Sequence, residues 1–267
     1  MKIHLNGRLM TASEARIDPA DRGLTLGDGL FETIAVRNGK AARLPAHLAR
    51  LRDGARVLGI PVPADDRALE QALAEMAEAN DITEGVLRLT LTRGPAPRGL
   101  APPDPSPPTL LITGAGQALA PPRPATAVIA IATRRNEHSP LARIKSTSYL
   151  DGVIAAREAA EKGADEALLL NSAGNLAEAA AANLFLVLDG RAATPPIRDG
   201  ALPGVMRADV IRVLGAAERT LKPADLAAAS EALLTNSLGI RPLVTVDGAP
   251  VGDGEPGPVC RDLQRIV

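Results

Sequence analysis

The sequence predicts an α+β protein with two domains, a smaller one over residues 1–118 and a larger one over residues 119–267. Three observations support this division. The chain of 267 residues, 46% of them apolar, is large enough for two hydrophobic cores. Proline-rich stretches at 94–108 and 117–125 interrupt regular structure, because proline fixes φ and lacks an N–H donor. An apolar segment, Ala127–Ala132, then begins a new pattern.

In the first domain, short strands are followed by helices. Asn-Gly pairs are typical of hairpin turns, and apolar residues three or four positions apart are typical of helices. These patterns predict a hairpin at 2–10, a second hairpin of Leu30–Val36 with Ala41–Leu44, helices at 46–58 and 66–79, and strands at Val86–Thr92 and Leu110–Thr113. The long loop at 94–108 is of a kind that is usually functional or disordered.

The second domain mixes strands and helices along the chain. The same criteria predict strands at 127–132, 166–170, 183–188 and 231–235, and helices at 151–162, 204–214 and from 257 onwards. This order favours a curled or barrel-like sheet with helices around it.

Composition excludes several classes of function. The net charge of −1 is spread along the chain, so neither nucleic acid nor a membrane surface is an expected partner. There is no apolar run that resembles a signal peptide or a membrane span. The single cysteine, Cys260, cannot form an intrachain disulfide and fits a reducing cytoplasm. Three histidines without metal-ligand spacing predict no metal site.

The most unusual segment, residues 143–187, contains Lys145, Tyr149, Glu178 and Phe185 in a chain with only three aromatic residues. A lysine that loses solvation becomes nucleophilic, and a carboxylate in an apolar run needs a cationic or N–H partner. Each residue alone also fits an ordinary surface position. Together they suggest a site where an amine, a carboxylate and a flat group meet.

Three further groups are suited to binding phosphate. The turn in Gly200–Arg207 opens a helix whose first N–H groups are available to an anion. Thr235-Asn236-Ser237 places polar groups at a strand end, and Arg50 offers a guanidinium. Alone, each is an ordinary helix entry, polar loop or surface arginine. Combined with a lysine and a carboxylate, they meet the requirements of pyridoxal 5′-phosphate (PLP).

Seven motifs together resemble the fold-type IV PLP enzymes, the family of branched-chain aminotransferases, D-amino-acid aminotransferases and aminodeoxychorismate lyases. They are GDGLFETI, HLARL, TRGPAPRG, IKSTSYLDG, NLAEAAAANLF, ALPGVMR and LLTNSLGIRP. The resemblance covers nearly the whole chain. It implies a small N-terminal α/β sandwich-like domain, a larger C-terminal pseudo-barrel domain, a PLP cofactor between them, and a homodimer.

The resemblance also implies roles for individual residues. Lys145 would be the catalytic lysine that forms the Schiff base and transfers protons, and Glu178 would pair with the pyridine nitrogen. Arg50 would bind the phosphate, and Tyr149 would lie near a cofactor oxygen, although its spacing from the lysine is four residues rather than five. The remaining expected cofactor contacts are Leu202 on the ring face, backbone N–H groups of Val205 and Met206, and Asn236 and Ser237 at the phosphate.

The markers of substrate type conflict. Arg98 matches an arginine that binds the substrate carboxylate in D-amino-acid aminotransferases, but Phe31 and Leu100 replace that subfamily's tyrosine and histidine. Thr33 matches aminodeoxychorismate lyases, whereas Glu32 is closer to aminotransferases.

The leading hypothesis is an aminotransferase that moves an amino group between an amino acid, branched-chain or D-type, and a 2-oxo acid. The first alternative is an aminodeoxychorismate lyase that forms 4-aminobenzoate and pyruvate. The second is a PLP-binding protein without catalysis.

Overall fold

The computed structural model describes residues 1–117 and 123–266. It confirms the predicted α+β class. The chain forms two compact units: unit one is Met1–Ala120 with Ile144–Ser148, and unit two is Pro121–Arg143 with Tyr149–Val267. The predicted domain boundary at 118/119 lies outside the described residues.

The elements follow one another in an order close to the predicted one. The helices are α1 Arg22–Leu26, α2 Leu44–Leu58, α3 Asp66–Glu78, α4 Leu150–Glu161, α5 Val205–Leu214, α6 Pro223–Ala228 and α7 Pro258–Ile266. The strands are β1 Lys2–Leu5, β2 Arg8–Thr11, β3 Gly29–Arg37, β4 Lys40–Ala41, β5 Gly85–Thr92, β6 Thr109–Gly116, β7 Ala125–Ile129, β8 Glu166–Leu170, β9 Leu176–Ala179, β10 Asn183–Leu188, β11 Arg191–Thr194, β12 Ala217–Glu218, β13 Glu231–Asn236, β14 Gly239–Val246 and β15 Ala249–Pro250. In the described chain, no helix is both long and apolar enough to cross a membrane.

Unit one contains a six-stranded sheet in the order β2-β1-β6-β5-β3-β4. Because side chains alternate along a strand, Leu30, Ile34 and Val36 of β3 lie on one face and enter the core with helices α2 and α3. Phe31 and Thr33 lie on the opposite face. We call this opposite side of β3 and β5 the open face.

Unit two contains a curled nine-stranded sheet. Its order is β12-β11-β10-β13-β14-β7-β8-β9, with β15 paired to β14. Strand β7 runs parallel to both β14 and β8, while β13 pairs antiparallel with β10 and β14. Three buried clusters of the described residues hold the sheet. One contains Leu168, Leu184 and Leu234, the second joins Phe185 to α5 and α7, and the third joins β7 and β8 to α4.

Most predicted elements are present, but one strand was wrong and several elements were not predicted. The predicted strand Ala41–Leu44 is wrong beyond Ala41: β4 pairs with β3 as the predicted hairpin requires but ends at Ala41, and α2 begins at Leu44. Pro45 suits the first turn of a helix, where its missing N–H costs nothing. Helix α1 and strands β9 and β14 were not predicted from the sequence. They are short or contain glycine and proline, so their sequence pattern is weak.

Candidate active site

The segment around Lys145 pairs with the edge of β3. The N–H of Phe31 donates to the carbonyl of Lys145 at 2.9 Å, and the N–H of Thr147 donates to Gly29 at 2.9 Å. Ile144 is buried in the core of unit one. Since side chains alternate across such a pairing, Lys145 lies on the same face as Phe31. The backbone therefore fixes the lysine at the open face.

Two cations lie against the Phe31 ring. The Nζ atom of Lys145 is 4.4 Å from the ring centroid, and the Cζ atom of Arg88 is 3.8 Å from it. Arg88 pairs in register with half-buried Thr33, so Thr33 lies beside the same positive surface. Sequence analysis missed Arg88. The alternation in Val86–Thr92 could have identified it, because Arg88 lies between leucines that are buried on the other face of the strand.

Arg50 lies on α2 and makes an ion pair with Glu32. Its Nε donates to Oε1 at 2.8 Å and its Nη2 donates to Oε2 at 2.5 Å, while Nδ1 of His47 is 2.6 Å from Oε2. Burial alone would raise the pKa of Glu32, but the hydrogen bonds and charges of Arg50 and His47 outweigh it and lower the pKa. Glu32 therefore holds Arg50 in a fixed direction.

Arg98 lies in the long loop between β5 and β6 and is exposed, as is Leu100. This loop is attached to unit one by Arg22, whose Nη1 and Nη2 donate to the carbonyls of Gly99 and Leu100 at 2.8 and 2.9 Å. Arg22 is a second functional candidate that sequence analysis did not identify.

Glu178 lies on β9 in unit two, and its exposure is 8%. Nε of Arg135 is 3.0 Å from Oε1, and the N–H of Leu202 donates to Oε2 at 2.8 Å. Nδ2 of Asn183 approaches Oε2 at 3.3 Å and donates to the carbonyl of Leu202 at 2.9 Å. The sequence predicted a cationic or an N–H partner for Glu178, and the structure has both. Neither Arg135 nor Asn183 was identified from the sequence.

The N-terminus of α5 has no side-chain cap and is closely packed. Gly204 is the N-cap and makes no side-chain capping bond, so the first N–H groups, at Val205 and Met206, lack acceptors within the helix. A Cβ added to Gly204 would lie 2.0 Å from Oδ1 of Asn183. Asn183 pairs in turn with Thr235, whose buried Oγ1 lacks a hydrogen-bond partner in the described chain.

The remaining predicted residues of unit two are Asn236, Ser237 and Tyr149. Asn236 ends β13 and donates through Nδ2 to Ala181 at 3.4 Å. Ser237 is half-buried in the turn before β14. Tyr149 precedes α4, and its ring lies 3.4 Å from the position of a Cβ added to Gly152.

Comparison with known proteins matches the chain to one family. The model of the amino-transferase class IV family matches residues 29–246. A proposed branched-chain-amino-acid aminotransferase of Methanocaldococcus jannaschii is 30% identical over 99% of this chain and 94% of its own length. D-alanine aminotransferase of Bacillus licheniformis is also 30% identical, over 100% of this chain and 96% of its own length.

Solved structures are similar over almost the whole chain. A T.th. branched-chain amino acid aminotransferase, complexed with N-(5′-phosphopyridoxyl)-L-glutamate, has a TM-score of 0.92 at 27% identity, covering 99% of this chain and 92% of that one. A proposed 4-amino-4-deoxychorismate lyase of Legionella pneumophila has a TM-score of 0.87 at 31% identity, covering 96% and 95%. The fold is thus shared by enzymes of different named activities.

Proposed function

Because this chain belongs to the class IV aminotransferases, which are PLP-dependent transaminases acting on amino acids and 2-oxo acids, we propose that its amino donor is a branched-chain or a D-amino acid. The observation that carries the proposal is the position of Arg88, whose guanidinium lies against the Phe31 ring on the same face as Lys145. A carboxylate is common to both substrate classes and would be attracted to this surface. The phenyl ring next to it favours an apolar side chain.

The residues of unit two fit the cofactor. Glu178 has a carboxylate held by an arginine and an N–H group, which favours the ionised form that would pair with a protonated ring nitrogen. The bare N-terminus of α5 offers N–H groups of Val205 and Met206 to a phosphate. The buried hydroxyl of Thr235 has no hydrogen-bond partner in the described chain and lies next to Asn236 and Ser237 in sequence. A phosphate or its bound water would supply that hydrogen bond.

Each residue then has a role in the reaction. When bound, PLP draws electrons from the substrate α-carbon, which makes its proton removable. Lys145 would hold the cofactor covalently and, once released by the substrate, would accept the α-proton on Nζ and pass it to a carbon of the cofactor. Arg50, oriented by Glu32, is proposed to bind the phosphate, and Leu202 to contact the ring. For Tyr149 we propose a contact with a cofactor oxygen.

The substrate contacts are proposed for unit one. Phe31 and Thr33 would contact the substrate side chain, while Arg98 and Arg88 would bind carboxylates. Arg88→Gln is expected to raise KM about tenfold for a carboxylate substrate, the equivalent of about 1.4 kcal/mol. An unchanged KM would remove Arg88 from substrate binding.

A direct test compares D-alanine, L-leucine and aminodeoxychorismate as substrates of the purified holoenzyme, with 2-oxoglutarate as acceptor. Amino transfer from either amino acid supports the proposal. Pyruvate formed from aminodeoxychorismate alone would replace it with the lyase function.

The second candidate is that lyase function, and two observations favour it. The Legionella pneumophila protein named as a proposed lyase is 31% identical to this chain. Thr33 is half-buried on the open face, where a hydroxyl would contact a substrate. Thr33→Val separates the two functions: it should impair lyase turnover strongly and amino transfer little.

We also propose a homodimer. Three apolar side chains of unit two are largely exposed: Ile131 at 73%, Leu150 at 74% and Val153 at 59%. Ile131 lies against α4, because its N–H donates to Glu158 of that helix at 3.0 Å. Exposed apolar side chains grouped in this way are typical of an interface. Light scattering should report a dimer that Val153→Asp weakens.

For the compartment we propose a reducing cytoplasm, which the single cysteine of the chain favours.

A further inference from the structure

Arg22 is a charged residue with almost no access to solvent. Its exposure is 5%, and all three guanidinium nitrogens make hydrogen bonds. Nε donates to Asp28 at 2.8 Å, and the two terminal nitrogens donate to the carbonyls of Gly99 and Leu100. A buried charge is costly unless its partners compensate for it, so this arrangement has a fixed geometry.

These two carbonyls are the principal attachment of the loop that carries Arg98. From Pro97 to Pro105, the bonds from Arg22 are the only hydrogen bonds within the described chain. Gly99 and Leu100 are themselves exposed, and Leu100 reaches 82%. Without Arg22, this part of the loop would have neither a buried side chain nor a backbone partner to hold it.

Asp28, the third hydrogen-bond partner of Arg22, connects it to β3, the strand that carries Phe31 on the open face. Asp28 immediately precedes β3, and Arg93 donates to it through Nε at 2.7 Å and Nη2 at 3.2 Å. Burial alone would raise the pKa of Asp28, but the bonds from Arg93 and Arg22 lower it. One ionised carboxylate thus joins Arg22 to the strand on which Phe31 lies.

We propose that Arg22 is a positioning residue for substrate recognition: it fixes the backbone of Gly99 and Leu100 and thereby the position of Arg98. Arg22 does not touch the substrate. The inference rests on the proposed function, in which Arg98 binds the substrate carboxylate. We expect its loss to change substrate affinity, because the hydrogen bonds of its side chain within the described residues go to Asp28, Gly99 and Leu100.

The test compares Arg22→Gln with Arg98→Gln in the holoenzyme. Both variants should raise KM for the amino acid about tenfold or more, with kcat changed less than about threefold and the cofactor absorbance retained. The double variant should be little worse than either single variant, because the two residues act through one contact. Arg16→Gln is the matched control, since the hydrogen bonds of exposed Arg16 within the described part of the chain go to the nearby carbonyls of Ser13 and Ala15.

Trypsin provides a readout independent of activity. Cleavage after Arg98 should be at least about tenfold faster in Arg22→Gln than in wild type or in Arg16→Gln, because the loop loses its anchor. If Arg22→Gln fails to fold, Arg22→Lys carries the test, since lysine keeps the charge but cannot donate in three fixed directions.

The outcomes distinguish the two claims. If Arg98→Gln leaves KM unchanged, the proposed role of Arg98 is wrong, and trypsin alone then decides whether Arg22 positions the loop. If Arg98→Gln raises KM while a folded Arg22 variant keeps wild-type KM and trypsin resistance, Arg22 has no positioning role.

Discussion

Replacing Gly204 by alanine should damage the cofactor site of unit two through a single added methyl group. That Cβ would lie 2.0 Å from Oδ1 of Asn183 and 3.2 Å from Cβ of Arg207. Asn183 must move, and its Nδ2 would then lose its bonds to Glu178 and to Leu202. Overpacking of this kind costs about 1–3 kcal/mol. The midpoint of thermal unfolding should fall by about 2–4 °C for each kcal/mol in a domain of this size.

The assay has two parts. Thermal unfolding of the apoprotein measures the packing cost, and titration with PLP measures affinity, which we expect to fall at least about tenfold because the α5 N-terminus and Glu178 both shift. Gly116→Ala is the matched control: its added Cβ would lie 3.9 Å from the nearest atoms, so neither quantity should change. A Gly204→Ala protein with wild-type stability and PLP affinity would refute the packing argument.

Two other predictions concern ionisation. Burial, and then the charge of Glu231, raise the pKa of Cys260 to about 12, so a thiol reagent should label it only slowly until the protein unfolds; rapid labelling of native protein would contradict this. The Ser172 hydroxyl and N–H lower the pKa of Glu137 from 4.5 to about 2. Because the folded state lowers this pKa, the stability it contributes is complete above about pH 4.5 and is lost as pH falls towards 2. Between pH 2 and 4.5, the free energy of unfolding should therefore depend less on pH in Glu137→Gln than in wild type. An equal dependence on pH in the two proteins would show that Glu137 does not make this contribution.

Local chemistry made much of the fold predictable. Asn6-Gly7 and Asn38-Gly39 do form turns between paired strands, and the predicted helices begin within two residues of the positions that apolar spacing indicated. The segment Gly200–Arg207 does open a helix. Where prediction failed, the cause was tertiary. Strand β14 contains Gly239 and Pro242, which disfavour a strand locally, yet pairing with β13 and β7 stabilises it.

For the candidate site, sequence analysis singled out residues with distinctive chemistry but not the residues that hold them in place. Glu178 is conspicuous because it interrupts an apolar run, and Lys145 because it lies in the segment that holds two of the three aromatic residues of the chain. Their neighbours are ordinary in sequence: Arg88, Arg135 and Arg22 are three of many arginines, distant along the chain from the groups they contact. Only the strand register and loop path bring such residues to their partners, and neither follows from local pattern.

The central claim, that Lys145 carries the cofactor, is tested most directly by reducing the PLP-loaded protein with borohydride and locating the modified lysine by mass spectrometry. The chain has five lysines, so the assignment is unambiguous. The account predicts a phosphopyridoxyl group on Lys145, within the tryptic peptide that runs from Ile144 to Arg157. Modification of Lys2, Lys40, Lys162 or Lys222 instead, or no modification of a protein shown to be folded, would contradict it.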